Sequence, residues 1–207
     1  IDHPLVALIS VMDHTPGQRQ WRDLDKWKRM YSRIYTAEEL DSQIDGLLER
    51  QKNHSAPNRE AVIAEARARG IPLASHDDTT ADHVNEGHAA GILISEFPTT
   101  MEAARAAHGH GMKTIMGSPN VVKGGSHSGN VGAAAMAEAG LLDGLASDYV
   151  PISMVHSAFI LADGHGLPLH DAVAMVTAGP AEMAGLDDRG QIAAGKRADL
   201  VRVKTFH

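Results

Sequence analysis

Short apolar runs alternate with helix-patterned stretches along almost the whole chain, and that alternation limits the available folds more than any other feature. Residues 5–12 (LVALISVM), 71–75 (IPLAS), 91–97 (GILISEF), 113–118 (KTIMGS) and 142–148 (LDGLASD) read as strands. A continuous apolar run, rather than an alternating one, suits a strand covered on both faces. Between them lie amphipathic segments. Residues 36–53 open on Thr36-x-x-Glu39, a capping box, and carry Leu40, Ile44, Leu47 and Leu48 on one stripe. Residues 57–70 start at Pro57 and stop at Gly70, the usual asymmetry of a helix. Further helical patterns cover about 80–90, 99–110, 129–140 and 169–178, and Trp21, Trp27, Tyr31 and Tyr35 follow helical spacing as core residues.

Strand and helix in strict alternation give an α/β fold with a parallel sheet. Five strands do not separate an open doubly wound sheet from part of a barrel. The polar residues lean towards the barrel: SVMDH, LASHDD, ISEF, GSPN and LASDY all place them at the C-terminal end of a strand. Site residues converging from several strand ends are the habit of the (β/α)8 barrel, which needs eight strands and roughly 250 residues. A chain of 207 residues with five strands is therefore expected to be an open sheet or a piece of something longer.

Composition removes several classes of function. The net charge is −7 with no long run of Lys or Arg, which argues against a nucleic-acid partner. There is no cysteine, so any metal must be held by imidazole and carboxylate, and thirteen histidines are present. No apolar stretch approaches the roughly 20 residues that cross a bilayer, so no membrane is expected. Nor is there a signal-peptide pattern, and the expected location is the cytoplasm. The chain opens on Ile1 without a methionine, so the natural start is expected to lie elsewhere.

Two constellations could carry chemistry. His14, His76 and Asp148 each end a strand, and imidazole with carboxylate is a standard ligand set for zinc and similar ions. The competing reading is a set of strand-end residues hydrogen-bonded locally. Asp77, Asp78, Thr79 and Thr80 read as caps of the following helix, and Glu96 as a carboxylate that orients a ligand histidine. The second constellation is the segment 117–130, GSPNVVKGGSHSGN, with Lys123, Gly124, Gly125, Ser126, His127 and Ser128 ahead of a helix start. Amides, a cation and hydroxyls in such a loop resemble an anion cradle, although a glycine-serine loop is more often only a loop. His108 and His110 read as a solvated helix end, and His156, His165 and His170 are given no role.

ISVMDHTPGQRQW, LASHDDTT, SEFPTT, MGSPNVVKGGSHSGNV and LASDYVP resemble, in order, the PhnM family of phosphonate-utilisation proteins. The tail 190–204 (GQIAAGKRADLVRVK) is similar to the closing signature of the wider amidohydrolase superfamily. The resemblance implies a metal-dependent (β/α)8 hydrolase that cleaves the 5-triphosphate of α-D-ribose 1-methylphosphonate 5-triphosphate, leaving the 5-phosphate and releasing pyrophosphate. It implies divalent ions, zinc in the first instance and one or two per full-length site, held by His14, His76 and Asp148. Asp148 would also act as general base. Arg19, Lys123, Ser126 and His127 would hold phosphate or phosphonate oxygens. Superfamily members also carry a His-x-His pair on the first strand and a later carboxylate or modified lysine, which this chain lacks.

The expectation is thus the C-terminal part of a longer barrel, residues 1–188, followed by a segment of a small β-domain, residues 189–207, with an incomplete metal site. Its partner would be the small-molecule phosphonate ribose triphosphate, and homo-oligomerisation is compatible with the sequence. Two alternatives stand beside this one. One is hydrolysis of a C–N bond, as in a deacetylase or cyclic amidase, because the fold does not fix the reaction. The other is a non-catalytic truncated barrel that serves as an interaction module.

Overall fold

Each of the five apolar runs becomes a strand, and each strand is shorter than its run. The computed structural model describes residues 1–126 and 129–204. The strands are β1 (Ile9–Val11), β2 (Leu73–His76), β3 (Ile94–Glu96), β4 (Lys113–Gly117) and β5 (Gly144–Ala146). All pair in parallel and in consecutive order, β1-β2-β3-β4-β5. The register runs from Ser10 opposite Ala74, through His76 opposite Glu96, to Gly117 opposite Ala146. A doubly wound sheet reverses its strand order at a switch point. This sheet never reverses, and right-handed crossovers between neighbours keep successive helices on one side. The arrangement is one arc of a (β/α)8 barrel, which resolves the ambiguity left by the strand count.

The period-two alternation of a strand assigns its residues to two faces. On the helix side, Leu73 packs with Val84 of α3 (Ala81–Ala89) and with Ala103 and Ala107 of α4 (Met101–Gly109). Further along the arc, Met116 and Leu145 pack with Met136 and Leu161 from the later helices. On the opposite face, Ala74, Ile94 and Ile115 form an apolar floor beneath Met183. Ser10, His76 and Glu96 occupy that same face nearer the C-terminal ends of the strands. The face thus changes from apolar to polar along the strand direction, and the polar end holds the site.

A 3-10 turn at Arg19–Trp21 and α1 (Leu24–Tyr31) follow β1, and then α2 runs as one helix over Ala37–Ala68. The sequence divides this stretch at Pro57, yet the helix continues through it. Pro57 is exposed, so the carbonyl that loses its partner faces water. The two ends of α2 are held by separate clusters: Leu40 and Ile44 pack on Trp21 and Trp27, whereas Ile63 and Ala66 join the sheet cluster. The capping box at Thr36 and Glu39 forms as expected. Tyr35 does not belong to the core. It is 40% exposed, beyond the end of α1.

The remaining helices are α5 (Ser118–Val122), α6 (Ala133–Glu138), α7 (Ser153–His165), α8 (Leu169–Ala174) and α9 (Ala178–Met183). The helical pattern at 129–140 yields only α6, and that at 169–178 yields α8 with the start of α9. Among the described residues after Met183 there is no helix or strand, so the tail does not itself form a β-layer. No helix among the described residues is long and apolar enough to cross a membrane.

Candidate metal centre

The strand ends turn abruptly where they meet the site. Asp77 follows β2 with φ 55°, Phe97 follows β3 with φ 56°, and Asp148 lies beyond β5 with φ 49°. The left-handed region is uncommon for side chains other than Gly and Asn/Asp, and residues held there cluster at functional sites. At Asp77 the turn is fixed by the backbone, since its N–H donates to the Glu96 carbonyl at 3.0 Å. The carboxylate thereby points back over the end of the strand.

His14, His76 and Asp77 converge there. One ligand atom from each lies within 4.8 Å of the others. Asp77 Oδ2 is 3.2 Å from His14 Nε2 and 3.7 Å from His76 Nε2. The imidazole centroids are 5.0 Å apart. Asp77 is buried, and its Oδ2 accepts no hydrogen bond from any described residue. A buried carboxylate oxygen without a donor is costly unless a cation meets it. Two imidazoles and a carboxylate are also the donor types that zinc and related ions take. On both grounds the residues present fit a divalent metal.

Glu96 orients the buried ring. Its Oε2 lies 2.7 Å from His76 Nδ1, which leaves Nε2 directed at the cluster. The Ser10 hydroxyl donates to the same carboxylate oxygen. A ligand histidine commonly carries a carboxylate behind it in this way. Burial alone would depress the proton affinity of His76, but the Glu96 hydrogen bond and the charges of Asp77 and Glu96 outweigh it, so its pKa is raised. Burial raises the pKa of Glu96, while His76 and Ser10 lower it further, and the net direction is down. The local field favours a cation at this position.

His14 sits on the loop after β1, which is anchored on both flanks. Asp13 accepts from Thr15 through its amide and its hydroxyl, and from Gln51 and Ser55 of α2. Burial pushes the Asp13 carboxyl up, but the hydrogen bonds from Thr15, Gln18 and Ser55 hold it well below the usual carboxylate range. On the other flank, Arg19 pairs with Asp78.

The remaining expected site residues divide into two groups. Asp148, Lys123 and Ser126 line a cavity of about 500 Å³ together with His14, His76 and Asp77. Asp148 faces the cavity from β5, where a Cβ on Gly117 would come 3.1 Å from its Oδ2. It is not part of the three-donor cluster among the described residues. Lys123 Nζ donates to the Tyr149 hydroxyl at 2.6 Å and lies 5.0 Å from the centre of that ring. Arg19 is not at this cavity: its guanidinium is committed to Asp78 at 2.7 Å and to the His76 carbonyl at 3.0 Å. The expectation that Arg19 meets substrate directly therefore gives way to a contact within the protein. His127 lies outside the described residues.

Of the four residues 77–80 that read as caps, Thr80 is the one that caps, its side chain accepting from the His83 amide, which leaves Asp77 for the cluster. The sequence offers HDD but no sign that the backbone turns left-handed at its centre.

The model for the amidohydrolase family matches residues 14–204. The chain is 50% identical over 202 residues to the alpha-D-ribose 1-methylphosphonate 5-triphosphate diphosphatase of Escherichia coli (strain K12), covering 95% of this chain and 53% of that protein. A dihydroorotase from Methanopyrus kandleri is 48% identical over 52 residues, which is 24% of this chain and 12% of that one. An uncharacterized metal-dependent hydrolase from Pyrococcus furiosus superimposes with a TM-score of 0.52 at 16% identity, over 67% of this chain and 34% of its own. A hydrolase of the same description from Pyrococcus horikoshii OT3 gives 0.51 at 16% identity, over 67% and 35%. The chain thus spans about half the length of the Escherichia coli relative and about a third of these solved structures. By the family match over most of its length, it belongs to the amidohydrolase family.

Proposed function

We propose that this chain is the site-bearing part of a metal-dependent phosphoanhydride hydrolase acting on α-D-ribose 1-methylphosphonate 5-triphosphate. Water adds to the α- or β-phosphorus, the α–β anhydride breaks, and the products are the 5-phosphate and pyrophosphate. The observation that carries this reading is the 50% identity to the Escherichia coli diphosphatase across 95% of the chain, including the whole cavity. Residues 189–207 would belong to a small β-domain of the longer protein.

His14, His76 and Asp77 would hold the divalent ion, with zinc the first candidate, and Asp148 faces the same cavity. Such an ion supplies an acidic water at neutral pH and offsets charge on phosphoryl oxygens. Glu96 keeps the His76 ring in one orientation and Ser10 fixes Glu96. Asp148 accepts the proton of the attacking water, a task suited to an exposed carboxylate at the cavity wall. Lys123 neutralises a phosphate oxygen on the far side, and Ser126 adds a hydroxyl. Homo-oligomerisation is not needed for any of these steps.

The rival reading is hydrolysis of a C–N bond, which the short match to a dihydroorotase keeps in view. Cavity chemistry favours the triphosphate, because Lys123 stands with the hydroxyls of Tyr149 and Ser126 along one wall. Phosphorus NMR of the reaction run by the full-length protein separates the two. The expected spectrum shows pyrophosphate and a 5-phosphate monoester in equal amounts. Orthophosphate release, or turnover of dihydroorotate with an inert triphosphate, overturns the proposal.

A further inference from the structure

Arg19 has φ 47° and, among the described residues, is the one non-glycine residue with positive φ that does not follow a strand. Its side chain is 15% exposed and its partner Asp78 is fully buried. The same guanidinium nitrogen, Nη1, donates to Asp78 Oδ1 at 2.7 Å and to the His76 carbonyl at 3.0 Å. These two acceptors flank Asp77 on either side in the chain. Asp78 is itself immobile, because Ser75 and Ser95 both donate hydroxyls to its other oxygen, Oδ2.

We infer that Arg19 is a positioning residue for the metal centre, locking Asp77 in its left-handed turn and binding the His14 loop to the end of β2. The inference rests on the reading of His14, His76 and Asp77 as metal donors. Three facts lead to it. First, one side chain bridges residues 76 and 78, so the peptide between them cannot relax to an extended conformation without breaking a charge-assisted bond. Second, Arg19 lies five positions after His14 in one loop, so the same contact sets the approach of His14 to Asp77. Third, Arg19 lines the neighbouring cavity between β1 and α2, not the one that holds the donors. It therefore touches no substrate in the proposed site, and its effect must pass through the residues it holds.

Both bonds leave one nitrogen, whose two N–H directions are fixed by the guanidinium plane, whereas the ammonium of Lys rotates about a flexible stem. Arg19→Lys keeps a cation beside Asp78 while removing that direction. A second variant, Arg19→Met with Asp78→Asn, removes the ion pair altogether, which proteins often tolerate better than one stranded charge. Each is made in the full-length protein and titrated with zinc against a chromophoric chelator, alongside thermal melting of the metal-free form and His76→Ala as a reference. The expected result is a zinc dissociation constant raised ten- to a hundredfold in both Arg19 variants, with kcat reduced more than KM changes. A variant that melts as wild type yet binds zinc weakly separates positioning from general destabilisation. Zinc affinity within twofold of wild type in either folded variant overturns the inference, provided His76→Ala has lost the metal. Unchanged affinity in His76→Ala as well would instead bring down the donor assignment beneath it.

Discussion

Asp77 joins a backbone that few residues adopt to a carboxylate oxygen that is buried and accepts no hydrogen bond. The two properties can be separated by substitution. Asn visits the left-handed region nearly as readily as Asp, whereas Ala pays roughly 1–2 kcal/mol there. Asp77→Asn is therefore expected to fold with near-native stability and to bind zinc at least tenfold more weakly. Asp77→Ala should lose the metal and also melt earlier in urea. Zinc binding at wild-type strength in Asp77→Asn would remove Asp77 from the donor set and return attention to Asp148. The sequence made His14 and His76 visible because a histidine ending an apolar run is hard to explain by packing. Asp77 stayed hidden because an acid ahead of a helix has an ordinary use as a cap.

The loops after β4 and β5 meet across the cavity, where Lys123 at the end of α5 reaches Tyr149. No described residue of either loop belongs to the three-donor cluster, so disturbing this wall should alter substrate binding and leave metal content alone. Loss of one charge-assisted hydrogen bond to a phosphate costs about 1.5–3 kcal/mol, roughly a factor of ten to a hundred and fifty. Lys123→Ala should raise KM by that factor with full zinc occupancy, measured by steady-state kinetics and elemental analysis. Loss of zinc would show that the wall supports the metal after all. The strands were largely legible, because parallel strands covered on both faces leave long apolar runs. Their order was not, since the same runs suit a barrel arc or a doubly wound sheet. The helices were less legible than the strands. Pro57 marked a break that α2 does not make, since anchoring at both ends outweighs one lost backbone bond. Helix α7, nearly apolar along its SAFILA centre, gave no amphipathic period to read.

At the scale of the molecule, an arc of five strands gathers polar groups at one end of a face whose other end is an apolar floor under Met183. The sequence indicated the end, because every strand finished in polar residues. It could not indicate which of them share a cavity, since that depends on strand register and on turns with positive φ. Arg19 is the clearest case: it lies in the expected loop but faces away from the expected ligand.

Whether His14, His76 and Asp77 form the metal site of this arc is answered by anomalous diffraction at the zinc edge, from crystals of the full-length protein grown with zinc. The predicted map has a peak within about 2.0–2.2 Å of a nitrogen of each histidine and of an Asp77 oxygen, the normal span of such bonds. A peak held by Asp148 without His14 and His76, or no peak in this cavity, would contradict that assignment.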